Sequence, residues 1–119
     1  MNKSKVISIN SDSITFDNNT ILTSYHDQDC CETHYLSFSD LILSDFDGLE
    51  FDLTSDNFFE RIEGYGIALK PLKGFPIRIP GYGSNNGYYS ADLEIVLSNE
   101  DNGFLKVFDI SECQDIIIE

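Results

Sequence analysis

Tyr88-Tyr89-Ser90-Ala91-Asp92-Leu93-Glu94-Ile95-Val96-Leu97 sets Tyr89, Ala91, Leu93, Ile95 and Leu97 on one side of an extended chain and Tyr88, Ser90, Asp92, Glu94 and Val96 on the other. One side is apolar and the other mostly polar, the pattern of an antiparallel strand with one face in a core and one in water. Beyond Leu97, Ser98 to Gly103 ends in an Asn-Gly pair and Phe104 to Ile110 resumes extended character, so a hairpin is expected. Before it, Phe75, Ile77 and Ile79 alternate with Pro76, Arg78 and Pro80. Two missing N–H donors predict an edge or irregular strand there, fed by the turn Pro71-Leu72-Lys73-Gly74.

The same period of two recurs near the N-terminus. Val6 to Asn10, Ser13 to Phe16 and Thr20 to Tyr25 are separated by Ser11-Asp12 and Asp17-Asn18-Asn19, which predicts a meander. From Cys30 to Phe38, one face carries Cys30, Glu32, His34, Leu36 and Phe38, and the other Cys31, Thr33, Tyr35 and Ser37. Ile116 to Ile118 is placed to close the sheet. Ser39 as N-cap, Asp40 in the first turn, Leu41, Ile42 and Phe46 inward and Gly48 as stop predict a short helix. Asn57 to Glu63 fits helix or strand. The expectation is a single domain over residues 1–119 of mainly β (or α+β) class, an antiparallel sheet or small open barrel with one or two short helices.

Seven Lys and Arg against 21 Asp and Glu give a formal charge of −14. Neutralising phosphates needs clustered basic side chains, so direct nucleic-acid binding and attachment to anionic membranes are not expected. The N-terminal residues alternate instead of forming an apolar run, so neither signal peptide nor membrane span is expected. Three cysteines, two of them adjacent, form no disulfide framework and fit a reduced, cytoplasmic setting.

Both histidines and two of the cysteines fall in the nine residues His26 to His34. Cys30, Glu32 and His34 project to one side of an extended chain, and His26 can fold back toward them. Thiolate, carboxylate and imidazole are zinc ligands, which makes His26, Cys30 and His34 the candidate metal ligands, with Cys113 as a remote addition. A Cys beside a His is also the minimum for thiol nucleophilic catalysis, for which Cys30, Cys31, Glu32, His26 and His34 are the candidates. The plainer alternative is packing: free Cys behaves as a small hydrophobe, and a histidine can tie down a turn.

Pro80 to Ser90 is rich in turn residues and tyrosines and reads as a loop entering the long strand. Gly81-x-Gly83 lacks the third glycine and following helix of a dinucleotide site. Tyr82, Tyr88 and Tyr89 offer rigid contact area, and Ser84, Asn85 and Asn86 adaptable hydrogen bonds, the composition of a recognition loop. An ordinary turn covering a sheet edge explains the same residues.

The two segments together resemble a family of small uncharacterised proteins of bacteria and their phages, which carry His-x-x-x-Cys-Cys-Glu early and Ser-Asn-Gly-Tyr-Tyr-Ser late. The matching residues are His26, Cys30, Cys31 and Glu32, then Ser84 and Asn86-Gly87-Tyr88-Tyr89-Ser90, with Asn85 as an extra residue. The resemblance implies that both motifs belong to one domain; it imports no function.

Between Val6 and Glu60 there are twelve Asp and Glu and no Lys or Arg. Such a field attracts basic protein surfaces, with Asp45, Asp47 and Asp52 as candidate contacts, though it also serves plain solubility. Asp45 to Glu50 clusters carboxylates that calcium favours, but without the ligand order of an EF-hand. The sequence favours a small acidic binding protein that recognises a protein partner. The alternatives are a phage-type DNA-mimicking inhibitor of a nucleic-acid enzyme, and a thiol- or metal-dependent enzyme on the His26-to-His34 segment.

Overall fold

Short runs of apolar residues, most of them alternating with polar ones, give ten strands among the described residues: β1 (Val6–Ile9), β2 (Ser13–Phe16), β3 (Ile21–Tyr25), β4 (Thr33–Leu36), β5 (Phe59–Ile62), β6 (Gly66–Leu69), β7 (Ile77–Asn85), β8 (Glu94–Asn99), β9 (Phe104–Asp109) and β10 (Asp115–Ile118). The computed structural model describes residues 3–27, 32–85, 87 and 91–118. One sheet has the order β1-β2-β3-β8-β9, all antiparallel. The expected N-terminal meander and the Asn-Gly hairpin are both in it, and Gly103, at φ +70°, takes the left-handed conformation that the β8–β9 turn needs. The other sheet runs β10-β7-β6-β5, with β4 also on β7; β10 lies parallel to β7 and the remaining pairs are antiparallel. The protein is thus mainly β, and its two sheets do not close into a barrel.

One apolar cluster joins the sheets. Ile14, Phe16, Leu22, Ile95 and Leu97 come from the first, Leu36, Ile67, Leu69 and Ile79 from the second, and Phe46, Phe51, Leu53 and Phe58 from the connection between β4 and β5. Each such side chain contributes about 1.5–3 kcal/mol by leaving water. Phe51 is held under the first sheet by reciprocal backbone hydrogen bonds with Ser4 (2.9 and 2.8 Å) and an edge-on contact with Phe16.

Three expectations need correction or narrowing. The helix from Ser39 is a single 3-10 turn, Leu43–Phe46, with no side-chain cap, and no α-helix occurs among the described residues. Its apolar residues do not share a face: Phe46 is buried while Ile42 and Leu43 are exposed, so no core-facing stripe rewards a longer helix. Within the ambiguous 57–63 segment, Phe59–Ile62 is extended, as β5, and the flanking residues are in turns and bends. Second, of the two alternatives for the proline-containing strand, edge or irregular, the structure gives the irregular one: Pro76 lies before β7, and β7, with Pro80 inside it, is not an edge. β7 pairs with β6 through Ile77–Pro80, then with β4 and β10 from Gly81 onward, so Pro80 stands where the partners change. Its carbonyl still accepts the Ser37 N–H (2.8 Å), and the next N–H, of Gly81, reaches Tyr65 O (2.6 Å). Third, residues 81–85 belong to β7 rather than to a loop, and the long strand that follows begins at Glu94, with Ala91, Asp92 and Leu93 before it. The phase of that strand is as expected, with Leu93, Ile95 and Leu97 buried. No helix among the described residues is long and apolar enough to cross a membrane.

Candidate metal centre

Strand alternation brings the site together. β4 turns His34 and Leu36 inward, and Glu32 just before it and Phe38 just after it follow the same side; all four are buried, while Thr33 and Tyr35 are exposed. His26 follows the last residue of β3 and reaches across to the start of β4, where its Nε2 lies 2.7 Å from Glu32 Oε1. Both side chains are almost wholly buried, 3% and 1% exposed. The other ring nitrogen, Nδ1, bonds the Asp92 carbonyl. A carbonyl can only accept, so His26 Nδ1 carries a proton. Burial works against a charged His26 ring, but the hydrogen bonds and negative charge of Glu32 and the Asp92 carbonyl outweigh it and raise the pKa above 6.5.

His34 stands 4.7 Å away, centroid to centroid, edge-on to His26. Its Nδ1 lies 2.7 Å from Gln114 Oε1, and its Nε2 lies 3.2 Å from Asn85 Nδ2. The Asn85 amide is oriented by the Gly87 N–H, which donates to Oδ1 (2.7 Å), so the amide NH2 faces the imidazole. One ligand atom each from His26, Glu32 and His34 lie within 4.8 Å of one another. Ligands of a tetrahedral zinc, at about 2.0–2.1 Å from the ion, are roughly 3.3 Å apart. The His26–Glu32 pair would open by about half an ångström and the wider gap would close by about 1.5 Å, which side-chain rotation supplies.

Gly81-x-Gly83 has a steric purpose. Gly83 is the partner of His34 across the β4–β7 ladder. A Cβ there would lie 2.5 Å from His34 Nδ1 and 2.7 Å from Gln114 Oε1, and one at Gly81 would strike the Cys113 carbonyl. The two glycines make room on the inner face of β7 for the imidazole and for the segment that leads into β10.

Of the residues expected to act, the structure gathers His26, Glu32 and His34 and adds Asn85, placed in the sequence reading on a recognition loop but buried beside His34. Cys30, Cys31, Asn86, Tyr88 and Tyr89 lie outside the described residues. Cys113 does not join the group; it is buried, and burial pushes its thiol up to about 11, with Glu112 adding to the shift. Tyr82 is exposed on the outer face of β7 beside Tyr35, ring centroids 5.9 Å apart, and Ser84 is half-buried on that strand. Asp45 and Asp47 are exposed around the 3-10 turn, and Asp52 accepts the Thr54 N–H (3.1 Å) and hydroxyl (2.5 Å). These three carboxylates do not converge into a donor set among the described residues. Gln114 and the Asp92 carbonyl were not legible as site components: neither lies within a local motif.

No curated protein and no solved structure matches the chain. Residues 2–95, which include all three candidate ligands and the whole of β7, match the family model described as a domain of unknown function, DUF7448, and the chain belongs to that family.

Proposed function

We propose that this protein is a metal-binding β domain that holds one zinc-class divalent ion through His26 Nε2, His34 Nε2 and the Glu32 carboxylate. The observation that carries the reading is the way the two imidazoles are held. Each offers its Nδ1–H to an oxygen, the Asp92 carbonyl or Gln114 Oε1; His26 Nε2 then lies 2.7 Å from the buried Glu32 carboxylate, and His34 brings a ring nitrogen within 4.8 Å of both. Metal-bound histidines are typically oriented by such a bond from the far nitrogen, which fixes the tautomer and makes the ligating nitrogen more basic. Two neutral imidazoles and one carboxylate suit zinc. Calcium, which takes six to eight oxygens, finds one carboxylate here. An ion there would pin the end of β3 to the start of β4, a link between the two sheets.

Native mass spectrometry of the full chain, incubated with equimolar Zn2+ and exchanged into volatile buffer, tests this. One zinc per chain is expected for the wild type and none for His34→Gln or Glu32→Gln. A bare wild-type chain, or equal retention by the variants, refutes the proposal.

A second reading, recognition of a protein partner, is favoured by one observation: Tyr35, Tyr82 and Ile117 are exposed on adjacent strands of the second sheet, β4, β7 and β10. Tyrosines give rigid contact area at interfaces. A partner retained equally by the wild type and by Tyr35→Ala/Tyr82→Ala would refute it.

A further inference from the structure

We infer that Gln114 is a positioning residue for the ion: it fixes His34 in the tautomer whose Nε2 is bare and so able to serve as a ligand. The inference rests on the metal reading above but has its own observable. An imidazole with one proton presents a ligand atom only at its bare nitrogen, so a site on His34 Nε2 requires the proton on Nδ1. The Gln114 side chain leaves no choice. Its Nε2 donates to two carbonyls, Ala91 O at 2.7 Å and Ser111 O at 2.8 Å, which uses both amide hydrogens. The amide cannot be turned over without setting its oxygen against those two carbonyl oxygens. Oε1 is thereby aimed at His34 Nδ1, 2.7 Å away, and an oxygen acceptor there demands Nδ1–H. Gln114 is 4% exposed, so water does not compete. From the opposite side, the Asn85 NH2 donates toward His34 Nε2, which only a bare nitrogen can accept; an ion taking that lone pair replaces this hydrogen bond.

The arrangement makes the site depend on a segment distant in sequence. Residues 111–114 lie outside the 2–95 family match, yet they supply the oxygen that orients His34. The backbone there is itself fixed, with the Cys113 N–H on Ile110 O (2.9 Å) and β10 running parallel to β7 immediately afterwards. Gly83 leaves the gap through which His34 and Gln114 meet.

The test uses the full chain, first freed of metal with a chelator, with its histidines labelled with nitrogen-15, at a pH where His34 is neutral. Long-range proton–nitrogen correlation spectra report which ring nitrogen bears the proton. The wild type is expected to show His34 as the Nδ1–H tautomer, and Gln114→Met, which keeps the volume and removes the acceptor, to show it mixed or reversed. In a parallel titration with Co2+, read from its visible absorption, the same variant is expected to bind 10–100-fold more weakly. A His34 with its proton on Nε2 in the wild type overturns the inference, as does Gln114→Met with tautomer and Co2+ affinity unchanged. If Gln114→Met fails to fold, the wild-type spectrum still decides. Failure of the wild type to bind Co2+ with the Nδ1–H tautomer intact would defeat the metal reading and uphold the role of Gln114 as tautomer clamp.

Discussion

Replacing Gly83 with alanine is the smallest change that reaches the candidate centre. The added Cβ would sit 2.5 Å from His34 Nδ1 and 2.7 Å from Gln114 Oε1, against the 3.4 Å or more of ordinary contact, so ring or amide must retreat by about 1 Å. Neither retreats freely. The Gln114 amide is tethered to Ala91 O and Ser111 O, and the His34 ring is flanked by Asn85 and His26. Overpacking of this kind costs about 1–3 kcal/mol. Loss of the His34–Gln114 hydrogen bond adds about 1 kcal/mol, and reduced freedom of the unfolded chain returns up to about 1 kcal/mol. The expected net loss is therefore about 1–4 kcal/mol in the urea-unfolding free energy. A chromophoric-chelator competition should show zinc affinity falling about 10–100-fold, since the displaced group orients a ligand. Ser84→Ala, on the next residue and the opposite face of β7, is the control and should stay within about 0.5 kcal/mol. If Gly83→Ala matches Ser84→Ala in both assays, the steric reading of the Gly-x-Gly pair is wrong.

Further outcomes follow from the rest of the molecule. Phe16→Ala, at a fully buried position against Phe51, should cost about 3–5 kcal/mol, read from the shift in urea midpoint. Cys113, with its thiol raised from 9.0 to about 11, should have roughly 100-fold less thiolate than an ordinary cysteine near pH 8; peptide mapping after brief alkylation of the native chain checks this, and labelling at an unfolded-chain rate would contradict it. The Asp109 carboxyl is held below 3.8 by the hydroxyl and N–H of Ser111 and the charge of Arg61. A lowered carboxyl pKa stabilises the fold above 3.8 and loses that contribution as pH falls through the lowered value, so Asp109→Asn should flatten the fall in stability between pH 4 and 2 by a small amount, as expected of an exposed group.

The elements legible in the sequence were those whose signal is local. Leu93, Ile95 and Leu97 gave the phase of β8, and Glu32, His34, Leu36 and Phe38 gave the inward face of β4 and its flanks, because side-chain alternation needs no tertiary knowledge. Pro80 left edge and irregular strand both open for the converse reason. A proline excludes a ladder hydrogen bond only where a partner strand seeks one, and here the strand changes partners at that residue. The helix expected from Ser39 failed because capping residues were present without an apolar stripe behind them. For the centre itself, His26, Glu32 and His34 lie within nine residues and could be proposed together. Gln114 is 80 residues from His34 and meets it only because β10 pairs with β7 in parallel, a connection no short motif announces. Asn85 looked like one more turn residue, and its role depended on β7 continuing through it.

Zinc K-edge X-ray absorption on the full chain loaded with one equivalent of Zn2+ tests the central claim most directly, because scattering from imidazole rings is distinct from that of lone nitrogen or oxygen donors. The account predicts two imidazoles per zinc, with nitrogen and oxygen donors at about 2.0–2.2 Å. Fewer than two imidazoles, or no zinc retained through desalting, would contradict it.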